Sequence, residues 1–168
     1  AGPAIESLSM EERMTICNMA IEGGARCGYI NPDQITFDFL KGRVNAPAGK
    51  SWDLAINWWK SLSSNSQSVF DDEIKYNASE IQPTITWGIT PGQGISITEK
   101  IPSPESLKPS DRLLAEEAYK YMKLQPGKSI KDLPINVCFI GSCTNGRLSD
   151  LKAAAKIIKN QHVAKGIK

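Results

Sequence analysis

Apolar positions recur along this chain first with a helical period and later in short β-like runs. Met10, Met14, Cys17 and Ile21 stand at i, i+4, i+7 and i+11, the spacing of one buried helical stripe. In front of it, Ser9-Met10-Glu11-Glu12 fits a capping box, where serine and glutamate satisfy each other's orphan amides. Gly23-Gly24 is expected to end this helix. Asn31-Pro32-Asp33 predicts a second helix with proline in its first turn and a stop near Gly42. A third begins around Ser51 and places Trp52, Ala55, Ile56 and Trp59 on one face.

Past residue 60 the pattern changes. The polar run SLSSNSQS over 61–68 is a surface loop. Residues 73–78 and 84–87 are short β-branched or aromatic runs and predict strands; 91–94 is a Pro-Gly turn, and 95–98 alternates as a further strand. Residues 99–110 carry three prolines and no apolar period. They read as a linker between the latter part of one α/β domain, 1–98, and the opening of the next, 111–168. Ser110-Asp111 caps a helix with Leu114, Ala118, Tyr121 and Met122 inward, ended by Gln125-Pro126-Gly127. Then come a strand at 135–140, a loop at 141–146, and a helix at 148–160 with Leu151, Ala154, Ala155 and Ile158 on its apolar face. A single strand–loop–helix unit cannot bury its own faces, so the sequence is expected to be cut here, not finished.

Composition narrows the chemistry. Lys+Arg 20 against Asp+Glu 18 leaves a net charge of +2, too small to draw the chain onto nucleic acid or a membrane. Four cysteines without a CxxC make neither a disulfide scaffold nor a zinc ribbon. The one histidine, His162, leaves zinc, haem and Ser-His-Asp chemistry hard to assemble; it reads as a complement to the dipole of the last helix. The start, AGPAIESLSMEE, has no basic segment followed by an apolar one, and no long apolar run follows. A soluble α/β protein of a reduced, cytoplasmic compartment is expected.

Two motifs invite a phosphate-loop reading, Gly49-Lys50-Ser51 and Gly127-Lys128-Ser129. That loop needs a further glycine five positions earlier, where Val44 and Met122 stand, so both are read as turn glycines. Cys143 is different. It lies in the polar loop of Val-Cys-Phe-Ile-Gly-Ser-Cys-Thr-Asn-Gly-Arg over 137–147, between an apolar strand and a helix start. The strand end is where α/β sheets bind ligands, and a helix N-terminus favours thiolates and anions. Thr144 and Asn145 add hydrogen-bonding side chains that could steady a thiolate or an anionic cluster. Chemistry alone leaves Cys143 open between a functional thiol and a packed one, and puts Cys138 in the core.

The run Gly-Ser-Cys-Thr-Asn-Gly-Arg resembles the signature bearing the first cluster-ligating cysteine of the aconitase superfamily. Residues 14–26 (MTICNMAIEGGAR) resemble a second family block. Residues 33–43, with Thr86-Trp87-Gly88 and Pro91-Gly92, resemble blocks of the branch of 3-isopropylmalate dehydratase large subunits. The resemblance spans nearly the whole chain. It implies a three-layer α/β/α fold and a hydro-lyase of leucine biosynthesis. Such an enzyme interconverts 2- and 3-isopropylmalate by dehydration and rehydration at a [4Fe-4S] cluster, beside a small partner subunit that completes the substrate pocket. By the same resemblance Cys143 is the first of three cluster ligands, with Thr144 and Asn145 as its cluster-side neighbours. Glu22 stands at the position of an active-site carboxylate, and Asn18 at that of a cluster-neighbouring asparagine. The other two ligands, in a CxxC further downstream in the family, are not among these residues, so the chain alone is expected to hold no cluster and to be inactive.

Several readings stay beside this one. A homoaconitate or citraconate-type hydratase belongs to the same superfamily. The isolated chain could be an inert, self-associating folded piece. A thiol enzyme built on Cys143 would have only His162 as a base. Cys27 and Gly146 depart from the family pattern, which more often has a small non-thiol residue and a serine there. Arg147 is either a helix-start residue or a substrate neighbour.

Overall fold

Ser9 caps its helix as its neighbours dictate: Ser9 Oγ accepts from the Glu12 N–H, and the Glu12 carboxylate accepts from the Ser9 N–H at 2.8 Å. The Glu12 carboxylate also accepts from Ser9 Oγ at 2.7 Å, and this bond first, then that from the Ser9 N–H, holds the Glu12 carboxyl below its ordinary value. In the computed structural model, which describes residues 1–168, the helices are α1 Pro3–Glu6, α2 Met10–Met19, α3 Gln34–Leu40, α4 Lys50–Ser61, α5 Pro109–Met122 and α6 Leu148–Ile158. One antiparallel hairpin, β1 Thr84–Thr86 and β2 Gly94–Ser96, lies between α4 and α5 in the chain. Helices with a small two-stranded sheet are consistent with the α/β class. The chain folds as two units, one of Ala1–Ile74 with Phe139–His162, the other of Lys75–Cys138 with Val163–Lys168.

In the first unit, helix α2 stops at Met19, short of the glycines expected to end it, so Ile21 falls in a turn and is exposed. Met10, Met14 and Cys17 are half-buried, as their stripe predicts. The most buried side chain of α2 is charged: Arg13, 2% exposed, forks onto Asp33 at 2.7 and 2.8 Å. Asp33 is also the N-cap of α3, accepting from Ile35 N–H and Thr36 N–H. Pro32 therefore lies outside the cap and not in the first turn, because the carboxylate, not the proline ring, sets where the helix begins. On α4, Trp52, Ala55, Ile56 and Trp59 are half-buried on one face as expected, with Trp59 stacked on the buried Phe37 and met edge-on by Trp52.

Two predictions arise from this unit. The bond from Arg13 is the main reason the Asp33 carboxyl lies below the usual carboxylate range. A lowered folded-state pKa gives stability that is complete above the unfolded value and lost as pH falls through the folded one. The urea midpoint should therefore drop below about pH 4, and drop less in Asp33→Asn, in equilibrium unfolding against pH. Gly28 approaches the α2 backbone so closely that a Cβ there would lie 2.4 Å from Cys17 Cα and 2.7 Å from its carbonyl oxygen. Backbone cannot swing aside as a side-chain tip does, so Gly28→Ala is expected to cost about 1–3 kcal/mol in the same measurement.

In the second unit, Trp87, Ile101, Ala115 and Ala118 form the core. Tyr119 stacks on Trp87 at 5.3 Å between ring centres and donates its hydroxyl to the Pro102 carbonyl at 2.7 Å. Burial raises that phenol's pKa. The buried face of α5 thus runs through 115, 118 and 119, whereas Leu114, Tyr121 and Met122 are exposed. The ring of Trp87 selects the stripe; the helical period alone allows either. Helix α5 starts at Pro109 behind Lys108 and ends at Lys123, whose φ of 54° is left-handed, ahead of the expected Pro-Gly stop. The hairpin pairs Ile85 with Ile95, and Gln93 ties its turn to α5: Oε1 accepts from Ile89 N–H and Nε2 donates to Leu114 C=O.

Residues 99–110 run inside this unit, with Ile101 at 1% exposure and its N–H and C=O bonded to the 127–128 turn. Residues 73–78 form no strand and are exposed. Residues 135–140 form none either. A strand needs a neighbouring edge, and the backbone bonds of this segment run to a single residue, Lys168, from Asn136 and Cys138. Val137 and Phe139 are exposed, and so is Cys138, contrary to its expected place in a core. Helix α6 ends at Ile158, so His162 lies beyond the last turn, outside the reach of the dipole. On its apolar face Ala154 is half-buried, and Leu151, Ala155 and Ile158 are exposed. No helix is long and apolar enough to cross a membrane.

Candidate functional site

The loop over 141–147 is organised by a residue that sequence reasoning did not single out, Ser142. Its Oγ accepts from Asn145 N–H at 2.8 Å and Thr144 N–H at 3.2 Å, and it shares a hydrogen bond with Thr144 Oγ1. A serine two and three residues before free amides is the sequence signal for such a turn. The turn is tight: a Cβ on Gly146 would lie 2.6 Å from the Ser142 carbonyl oxygen. In this conformation the backbone leaves no room for a side chain at position 146.

Helix α2 seats the loop from outside. Asn18 Nδ2 donates to the Cys143 carbonyl at 3.4 Å, and Thr15 Oγ1 donates to Asn145 Oδ1 at 2.8 Å. Arg147, the N-cap residue of α6, turns its guanidinium back: Nη1 donates to Thr15 Oγ1 at 2.9 Å and to the Thr144 carbonyl. The Arg147 N–H is itself taken by the Asp150 carboxylate at 3.0 Å. The structure thus brings Asn18, Cys143, Thr144 and Asn145 together, and adds Thr15, Ser142 and Arg147.

Glu22 is not joined to them. It lies in the turn after α2, its N–H bonded to the Met19 carbonyl and its side chain exposed, with no hydrogen bond or ion pair to the loop. The shared helix face expected for Asn18 and Glu22 ends with the helix at Met19. The two Gly-Lys-Ser motifs are turn features as expected, Gly49 being the N-cap of α4 and Gly127 a left-handed turn residue, with no strand before either.

Cys143 is a free, exposed thiol, as are Cys27 and Cys138, while Cys17 is half-buried. An exposed sulfur on a loop fixed at its carbonyl and at both following residues suits a soft-metal ligand. No three His, Cys, Asp or Glu side chains gather in this chain to complete such a site. Its residues fit one corner of a cluster and do not enclose one.

The family model for the aconitase family (aconitate hydratase) matches residues 1–168, the entire sequence. The chain belongs to the aconitase family. A protein of Synechococcus sp. (strain CC9311), named 3-isopropylmalate dehydratase large subunit, is 66% identical over 168 residues. One of the same name from Prochlorococcus marinus (strain MIT 9211) is 67% identical over the same length. All of this aconitase-family chain is covered in both comparisons, but it spans only 36% of each relative. No solved structure matches it.

Proposed function

We propose that this sequence is the part of a 3-isopropylmalate dehydratase large subunit that carries its first cluster cysteine. The observation that carries the reading is the placement of the exposed Cys143 on a loop held by Asn18, Thr15 and Arg147. The names of relatives 66–67% identical across every residue support it. The whole subunit would have the three-layer α/β/α architecture of its family, act in the cytoplasm in leucine biosynthesis, and interconvert 2- and 3-isopropylmalate with a small subunit as partner. In it Cys143 would ligate a [4Fe-4S] cluster, with Thr144 and Asn145 beside it. When bound, the cluster supplies a Lewis-acid iron to the substrate's hydroxyl and carboxylate.

This chain's own residues have narrower tasks. Asn18 fixes the Cys143 carbonyl and thereby the direction of the thiol. Glu22, exposed and four residues from Asn18, would be the active-site carboxylate of the whole subunit. The exposed apolar residues Val137, Phe139, Leu151 and Ile158 would be covered in the longer subunit, and in the isolated chain they favour self-association.

The test is anaerobic co-expression of the full-length subunit bearing this sequence with a small subunit, followed by hydration and dehydration assays. Turnover of isopropylmalate well above that of homoaconitate or citraconate is expected, and none from the 168-residue chain. A preference for either rival substrate, or turnover by the short chain, overturns the assignment.

A further inference from the structure

We propose that Thr15 and Arg147 are positioning residues that lock the Cys143 loop onto α2; what the locked loop serves rests on the cluster-ligand reading above. The argument starts from proton counting. A threonine hydroxyl has one proton to give and two lone pairs to receive. Arg147 Nη1 donates to Thr15 Oγ1, which leaves the hydroxyl proton for Asn145 Oδ1 at 2.8 Å, a shorter path than the Glu11 carbonyl at 3.1 Å. The same Nη1 group also donates to the Thr144 carbonyl. One hydroxyl and one guanidinium therefore join α2, the loop and the start of α6.

The bonds bracket the cysteine. Asn18, at i+3 from Thr15 and so on the same face of α2, takes the Cys143 carbonyl. Arg147 takes the next carbonyl, and Thr15 the side chain after that. The Arg147 guanidinium is half-buried and has no carboxylate partner; the ion pair of this unit lies elsewhere, between Arg13 and Asp33. Its positive charge is left facing neutral acceptors in the loop, where it favours an anionic ligand. Two of its donor contacts thereby hold the loop.

The decisive variants are Thr15→Val, which keeps the shape and removes the hydroxyl, and Thr15→Ser, which restores it. In hydrogen–deuterium exchange of the protein, amides over 142–147 should exchange about tenfold faster in Thr15→Val and Arg147→Met, each of which removes two of these bonds, while α2 amides keep their protection. Thr15→Ser should return to the wild-type rate. In the full-length subunit with its cluster, iron loss to a ferrous chelator should quicken by about the same factor in Thr15→Val and recover in Thr15→Ser. Wild-type loop exchange in both Thr15→Val and Arg147→Met, or failure of Thr15→Ser to restore it, overturns the proposal. Faster loop exchange with iron retained in Cys143→Ser upholds the positioning role and overturns the ligand reading instead.

Discussion

Cys143→Ser should strip the full-length subunit of its cluster, with iron and sulfide falling from stoichiometric to near zero and the visible absorption lost. Iron–sulfur clusters are held by cysteine thiolates, and a serine oxygen is a harder, more basic donor that the same loop cannot bring to a soft site. The loop itself should survive, since its bonds run through Ser142 Oγ, the Cys143 and Thr144 carbonyls and the Asn145 side chain, none through the sulfur. Cys138→Ala is the control. Cys138 is exposed, so its removal should stay within about 0.5 kcal/mol and leave the iron in place. Iron retained in Cys143→Ser and lost in Cys138→Ala would assign the ligand to the wrong sulfur.

Arg13→Met is expected to cost the first unit about 2–4 kcal/mol, read as a lower urea midpoint at unchanged m-value. Arg13 gives bonds to the Leu8 and Glu6 carbonyls as well as both oxygens of Asp33. Methionine fills the volume but leaves all of those acceptors without their donor. The cost stays below that of a fully buried pair because the Asp33 side chain is 37% exposed and water can reach its carboxylate. Arg13→Lys should recover little, since a point charge cannot bridge two carbonyls and a bidentate carboxylate at once. A midpoint for Arg13→Met within experimental error of wild type would show that the fork is dispensable.

What was legible in the chain divides by range. Ser9 with Glu12 is a pattern whose partners lie within a few residues, and the face of α4 is set by the helix's own period; both stand as read, although Trp59 finds its stacking partner Phe37 on α3. Arg13 was invisible as a core residue because its partner is twenty positions away, and a charge inside an apolar stripe otherwise looks solvated. On α5 the stripe expected inward, Leu114, Ala118, Tyr121 and Met122, holds only at Ala118, because Trp87, outside the helix, draws Tyr119 and with it that face inward. Residues 135–140 have the composition of a strand, but pairing is a property of two edges. At the candidate site, chemistry pointed to Cys143, and only family resemblance brought Asn18 to it. Thr15 shows no individual signal, since it matters through bonds that appear only once the loop meets α2; the Ser142 turn is local, and its serine could have been read from the sequence.

The discontinuity of the first unit bears on how the chain is made. Ala1–Ile74 leaves the ribosome well before Phe139–His162, which completes the same unit. At roughly 5–20 residues per second, the intervening Lys75–Cys138 keeps α2 waiting on the order of seconds for the loop it seats. Through that interval Thr15 and Asn18 have no loop to bind, and closing so long a connection carries an entropic cost that local helices avoid. Lys75–Cys138, nearly a whole unit in one stretch, is free to form its hairpin and α5 core in the meantime. Vectorial synthesis thus makes the seating of the cysteine loop a late step, and any delay in translating 139–162 lengthens the exposure of the α2 face built to receive it.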